Sequence, residues 1–476
     1  MRFAKALGFP VVMAGGLFTL VFCFCCLRFN DPDMWWHLRL GKEIWDSHTI
    51  PMADTWSFTV AGSHWVPHEW LGEVLLYVAY LAGGYRGVAL WFSGLSGCIT
   101  IVSYFLCWRY SGNVAIAVAG GLITGFFGTI GYAPRPHLLG YLFLAVELLI
   151  LHAAYAGKIR ALWFLPPLFA LWINCHASFF LGLGLFGVLQ LCYTWKSRSL
   201  SGWIPLLACC AALFVNPVGV ELVLHPVSLF LNQRTSLGFV TEWLPVTITD
   251  VRGLVMFGIL GGLMILALLG KARAGIAELL VFVPVTYLAV QHTRMLFVFG
   301  IVAAPLVTRV LVDLRSWPPP KRDHMPSNAV LLVLCASACW AMFPSQNELQ
   351  RRVASNFPVA AVDYMRANKL QGPILNDYVW GGFLVWHAPE YKVFIDGFGD
   401  VFEWNGVLQK YRRWAEVQTD PAQLLDEYKI QLCILPSDAL EANVMPHLRG
   451  WKTAYKDSVS VVFTRTAAQT DNMLAQ

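Results

Sequence analysis

The sequence predicts a polytopic α-helical membrane protein that ends in a small soluble α/β domain. Three observations carry this. Of 476 residues, 57% are hydrophobic and only 13% are charged, where a soluble domain has roughly 25% charged residues. Eleven apolar runs approach the roughly 20 residues a helix needs to cross a bilayer. Residues 345–476 lose that character and read as short strands alternating with helices.

The runs fall at 9–29, 86–108, 113–131, 138–156, 161–175, 179–195, 203–216, 253–270, 276–291, 295–312 and 328–344. The first follows Arg2 and Lys5, as a secretory signal would. It is about 20 residues long and lacks a small-residue cleavage site, so it reads as an uncleaved span. With the N-terminus inside, the alternate loops carry Arg109, then Lys158 and Arg160, Lys196 and Arg198, Lys271 and Arg273, and finally Arg309, Arg315, Lys321 and Arg322. The last of these loops is interrupted by Pro318-Pro319-Pro320. Every inside loop is basic, as the positive-inside rule requires. An odd number of spans then puts residues 345–476 outside. The apolar stretch 69–85 is read as interfacial, because a crossing there would reverse everything downstream.

Two domains follow. Residues 1–344 form the membrane domain, with 30–85 as a first outer loop carrying interfacial helices, and 345–476 form an extracytoplasmic α/β domain. In the latter, helices are expected at 358–370, 405–418 and 421–428. Strand-like runs occur at 373–375, 382–386, 392–397, 431–435 and 459–464. Nearly all of the 12 cysteines fall in apolar runs, and the C-terminal region has only Cys433, so no disulfide framework or CxxC zinc site is read. The net charge of +5 is spread over short loops, which fits membrane topology and excludes a nucleic-acid patch.

Polar residues concentrate on the outer face. Asp31-Pro32-Asp33 stands just beyond the first span. Acidic residues at a lipid surface are costly unless solvated or functional. These two can bind a divalent cation through oxygens, supply a general base, or cap an interfacial helix. His64, His68 and Glu69 form a second cluster, able to bind metal or to start a helix. Six of the chain's 20 tryptophans lie between Trp35 and Trp70, which suits a lipid–water boundary or stacking on a sugar. The outer ends of later spans present Arg135-Pro136-His137, Asn174-Cys175-His176, Glu242-Trp243 and His292-Thr293-Arg294. Each alone is a cap or an anchor. An outer arginine departs from the positive-inside trend, and its planar fork matches phosphate oxygens. In the last domain, Asn376-Asp377 turns into a strand and the run Phe394 to Asp400 ends one, where α/β domains often keep ligand sites; without a nucleotide fingerprint, these residues read first as packing turns.

The pattern Asp31-Pro32-Asp33-Met34-Trp35-Trp36-His37, followed by Gly41, Pro51-x-x-Asp54 and His68-Glu69-Trp70-Leu71, resembles the GT-C superfamily of membrane glycosyltransferases. Within it, the likeness is to protein mannosyltransferases and the lipid A aminoarabinose transferase. In layout the resemblance covers the whole chain; in motifs it covers mostly residues 30–72. It implies a bacterial inner-membrane enzyme with a cytoplasmic N-terminus and a periplasmic C-terminal domain. Such an enzyme moves a sugar from a polyprenyl-phosphate donor to a lipid, glycan or protein acceptor, usually with inversion. It implies Asp33, or Asp31, as base or as ligand of a possible Mg or Mn ion. It gives substrate binding to His37, His68, Glu69, Arg135, His137, Asn174, His176, Glu242 and Arg294. No copy of the oligosaccharyltransferase acceptor motif is found in the last domain, which speaks against peptide-sequon glycosylation. The alternatives are a transporter or flippase of lipid-linked glycans, for which Glu147 and Glu278 are the mid-span charges, and a non-catalytic assembly protein on the same fold.

Overall fold

The structure, a computed structural model, describes residues 8–232, 241–272, 274–314 and 323–466. Arg2, Lys5, Arg273, Arg315, Lys321, Arg322 and the run Pro318-Pro319-Pro320 lie outside the described residues. The chain divides into two compact units. One contains residues 8–28, 89–227 and the described part of 241–344. The other joins residues 29–88, and a short piece beginning at Ser228, to the C-terminal region from Ser345. The first loop thus packs with the C-terminal region.

The helices run in order α1 (Phe9–Cys26), α2 (Met34–Ser47), α3 (Trp70–Ser111), α4 (Val114–Gly128), α5 (His137–Tyr155), α6 (Leu165–Cys175) and α7 (Phe179–Ser197). They continue with α8 (Trp203–Ala212), α9 (Val220–Asn232), α10 (Val251–Leu268), α11 (Ile276–Gln291), α12 (Leu296–Asp313) and α13 (Met325–Met342). All eleven predicted runs coincide with helices; α9, in a segment read as an outer loop, was not foreseen. Among the described residues, seven helices are long and apolar enough to cross a membrane, and five shorter apolar segments accompany them. Large side chains such as Leu268 and Trp340 are exposed on α10 and α13, as lipid-facing surfaces require.

Small residues let the membrane helices approach closely. A Cβ on Gly120 of α4 would lie 2.4 Å from Cys107 Sγ and 2.8 Å from Thr308 Cγ2, and one on Gly300 of α12 would lie 2.7 Å from Phe127 Cβ. These glycines let α4 lie along α12. Helix α3 is broken at Gly83-Gly84, and Gly84 adopts φ 58°, ψ −139°. That conformation is open to glycine and strained for other residues. The stretch 70–82 is therefore a separate helical piece.

In the second unit the C-terminal region adds α14 (Gln346–Asn356), α15 (Val359–Ala367), β1 (Ile374–Asn376), α16 (Gly381–His387), α17 (Gly399–Trp404), α18 (Val407–Ala415) and α19 (Pro421–Glu427). It ends with β2 (Leu432–Pro436), α20 (Leu440–Val444), β3 (Trp451–Lys456) and β4 (Ser460–Arg465). The sheet order is β1-β2-β4-β3, with β1 parallel to β2 and the other pairs antiparallel. Two strand expectations are corrected. Residues 382–386 belong to helix α16, because a continuously buried apolar run has the same pattern in either state. The run 392–397 is not a strand among the described residues; Val393 makes an isolated bridge to Ser57.

Candidate functional site

Helix α2 begins at the acidic pair, and the two aspartates do different work there. Asp31 Oδ1 accepts the backbone N–H of Asp33 (3.0 Å) and of Met34 (3.3 Å), so Asp31 closes the helix N-terminus. Asp33 occupies the N-cap position without using its side chain for the cap. Its Oδ1 instead lies 2.5 Å from where a Cβ on Gly397 would be.

The apolar face of α2 buries Trp35 and Trp36 against the C-terminal region. The Trp35 ring makes edge contacts with Phe357, Phe383 and His387 at 5.3, 5.4 and 5.0 Å. Trp36 meets Phe398 at 5.2 Å. Gly382 allows this, because a Cβ there would come within 3.2 Å of Pro32 O and of Trp36. The His387 imidazole is held down to about 4 by burial, then by Arg366.

The run Phe394 to Asp400 closes over the head of α2. The first loop is stitched to it: Phe58 N–H and Thr59 Oγ1 donate to the carbonyls of Val393 (3.2 Å) and Phe394 (2.6 Å). Val393 N–H donates to Trp56 O at 3.1 Å. Asp396, 1% exposed, accepts Phe398 N–H on Oδ1 at 2.8 Å, while Oδ2 has no partner among the described residues. Burial, then the charges of Asp54 and Asp33, push the Asp396 carboxyl up to about 8. Asp54 is also raised by burial, although Ser57 Oγ and two backbone amides donate to it. Asp400 is pushed up to about 7 by burial and then by Glu403. Sequence reasoning gave Asp396 a packing role; the signal that could have raised its standing is an aspartate inside a fully apolar run.

Below the head of α2, His37 turns toward the start of α3. His37 Nδ1 lies 2.9 Å from Glu73 Oε1 and 3.7 Å from Glu69 Oε2. His68 Nε2 lies 3.8 Å from Glu69 Oε1. Among the described residues, His37, Glu69 and Glu73 are the group whose ligand atoms all fall within 4.8 Å of one another. Glu73 was missed; its i, i+4 spacing from Glu69 was the available signal. Asp31 and Asp33 do not join such a group, and Asp31 already spends an oxygen on backbone amides.

The remaining predicted residues gather in the other unit. Arg135 lies 3.6 Å from Glu242. Arg294 sits over the Trp243 ring at 5.5 Å. The His137 and His176 rings are 6.4 Å apart, and His137 Nε2 faces Gly131 O at 2.7 Å. Asn174 Nδ2 donates to Ala170 O and Val215 O. Of the mid-span charges, Glu278 pairs with Arg309 and caps α11, and Glu147 is fully buried.

No protein-family model and no curated protein matches the sequence. Solved structures do match in three dimensions. An archaeal oligosaccharyltransferase, AglB from Archaeoglobus fulgidus in complex with an inhibitory peptide and a dolichol-phosphate, gives a TM-score of 0.51 at 11% identity over 88% of this chain and 69% of that one. An Archaeoglobus fulgidus oligosaccharyltransferase tethered with an acceptor peptide gives 0.53 at 10% identity over 95% and 74%. The ArnT protein from Cupriavidus metallidurans bound to undecaprenyl phosphate gives 0.49 at 13% over 94% and 97%. The two scores above 0.5 show that the chain shares the fold of these structures: a polytopic helical domain with a C-terminal α/β region.

Proposed function

We propose that the chain transfers a sugar from a polyprenyl-phosphate-linked donor to an extracytoplasmic lipid, glycan or protein, with Asp33 as general base and inversion at the sugar. The observation that carries the proposal is the division of labour at α2. Asp31 caps the helix, and Asp33 is turned toward the Gly397 loop beside a buried carboxyl that stays protonated at neutral pH. Two neighbouring acids with environments this different suit one as proton acceptor and the other as a neutral partner. The fold likeness supports the donor class, since one neighbour was solved with a dolichol-phosphate.

In the reaction, the acceptor hydroxyl attacks the anomeric carbon and gives its proton to Asp33. The bond from that carbon to the phosphate oxygen breaks, and the polyprenyl phosphate leaves with the electron pair. Arg135 and Arg294, in the other unit, carry the planar forks that match phosphate oxygens. His137, His176 and Glu242 flank them in the same cluster. An Mg or Mn cage on Asp31 and Asp33 fits poorly, because Asp31 is committed to the cap. The orientation proposed is a cytoplasmic N-terminus in a bacterial inner membrane.

The test is Asp33→Asn in the intact membrane protein, expressed at the wild-type level. Glycolipid and envelope-glycan profiles should lose the product, and transfer from a polyprenyl-phosphate sugar in vitro should fall about 10²–10⁴-fold. Profiles and rates equal to wild type would refute the assignment.

A further inference from the structure

Helices α2 and α3 touch at Gly41. A Cβ there would lie 2.2 Å from the Glu73 carbonyl oxygen and 3.0 Å from Tyr77 Cβ, so only glycine permits this approach. His37 stands one helical turn before Gly41. Glu69 and Glu73 are one turn apart, with Glu73 N–H donating to Glu69 O at 3.0 Å, so both carboxylates share a face. The crossing therefore presses one imidazole between two carboxylates. All three side chains are buried, at 3%, 6% and 2% exposure, and Glu73 Oε2 has no hydrogen-bond partner among the described residues.

Two carboxylates and an imidazole crowd one buried point, and Glu73 Oε2 lacks a partner there among the described residues. A dication with a neutral imidazole and two carboxylates sums to zero. We propose that His37, Glu69 and Glu73 hold a divalent transition-metal ion between α2 and α3. Around a tetrahedral zinc with bonds of about 2.0–2.2 Å, adjacent donors stand about 3.3 Å apart. The separations of 2.9 and 3.7 Å bracket that value. One nitrogen with two carboxylates favours zinc or manganese over the oxygen-seeking magnesium. His68 Nε2 lies 3.8 Å from the Glu69 oxygen that His37 does not face. This assignment stands whether or not the chain transfers sugars, because it pins the first loop to α3.

The experiment uses untagged full-length protein in detergent, stripped with a chelator and titrated with ZnCl2 and, separately, MnCl2. The expected result is one equivalent bound per chain, a higher thermal midpoint with metal, and roughly 10²-fold or greater weakening in Glu73→Gln and in His37→Gln. Asp33→Asn should bind as wild type does, which separates this site from the proposed base. X-ray absorption of the wild-type zinc form decides the case even if the variants misfold: one imidazole among oxygen ligands supports the site. A wild type that binds neither metal, or whose bound zinc has no imidazole or a sulfur ligand, overturns it. So does a well-folded Glu73→Gln that binds unchanged.

Discussion

Asp396→Asn should make the protein more stable at neutral and alkaline pH while changing little near pH 4. The wild-type carboxyl is 1% exposed, has one oxygen without a partner, and is pushed up to about 8. In the unfolded chain it ionises near 3.8. A raised folded value means the folded state holds the proton more tightly. That contribution is fully present below 3.8 and is lost as pH rises toward 8. Each pH unit in that window is worth about 1.4 kcal/mol, so about three units up to pH 7 amount to at most on the order of 4 kcal/mol. Asparagine keeps the oxygen that accepts Phe398 N–H and carries no charge at any pH. Thermal midpoints of the full chain in detergent, read by tryptophan fluorescence from pH 4.5 to 8.5, check this. The variant should gain several degrees over wild type by pH 7, with the gap opening from the acid end. Parallel curves, or a variant below wild type at pH 7, would show that Asp396 is not carried as a neutral buried acid.

Two further outcomes distinguish the parts of the α2 head. Asp31→Ala should cost about 1 kcal/mol, the usual worth of an N-cap, and leave transfer within a few fold, measured by the same melts and by the transfer assay. Gly397→Ala puts a methyl 2.5 Å from Asp33 Oδ1. Displacing that carboxylate by close to 1 Å should lower the transfer rate on the order of 10²-fold, with donor-lipid binding measured in parallel and unchanged.

Much of the membrane part was legible because lipid imposes one rule: backbone groups must be satisfied within each helix. Every long apolar run therefore became a helix. The soluble region obeys looser rules, and the reading failed where burial is continuous. Gly382-Phe383-Leu384-Val385-Trp386 looks like a core strand and is a helix. Helix α14 was overlooked although Ser345, whose Oγ accepts Glu348 N–H at 3.2 Å, starts it with a recognisable cap. The acidic head was found from residue type, yet the sequence alone did not separate Asp31 from Asp33, since the difference lies in which backbone amides each one meets. Asp396 stands out as an acid ending an apolar run, but its burial beside Asp54 does not show in the sequence, and Glu73 is hidden because His37 lies 36 residues away. Glycines 41, 382 and 397 carry no chemistry of their own, and their purpose shows only when the neighbour that fills the missing Cβ is known.

The stitching of the first loop to the Phe394 run also sets a clock. Thr59 waits for Phe394, 335 residues later in the chain. At roughly 5–20 residues per second, synthesis of that interval lasts about 20–70 s. Through that time Trp35, Trp36 and the acids around them lack the surface that buries them, and a chain stopped before residue 394 never acquires it. The nascent protein therefore passes most of its synthesis with its most aromatic segment uncovered.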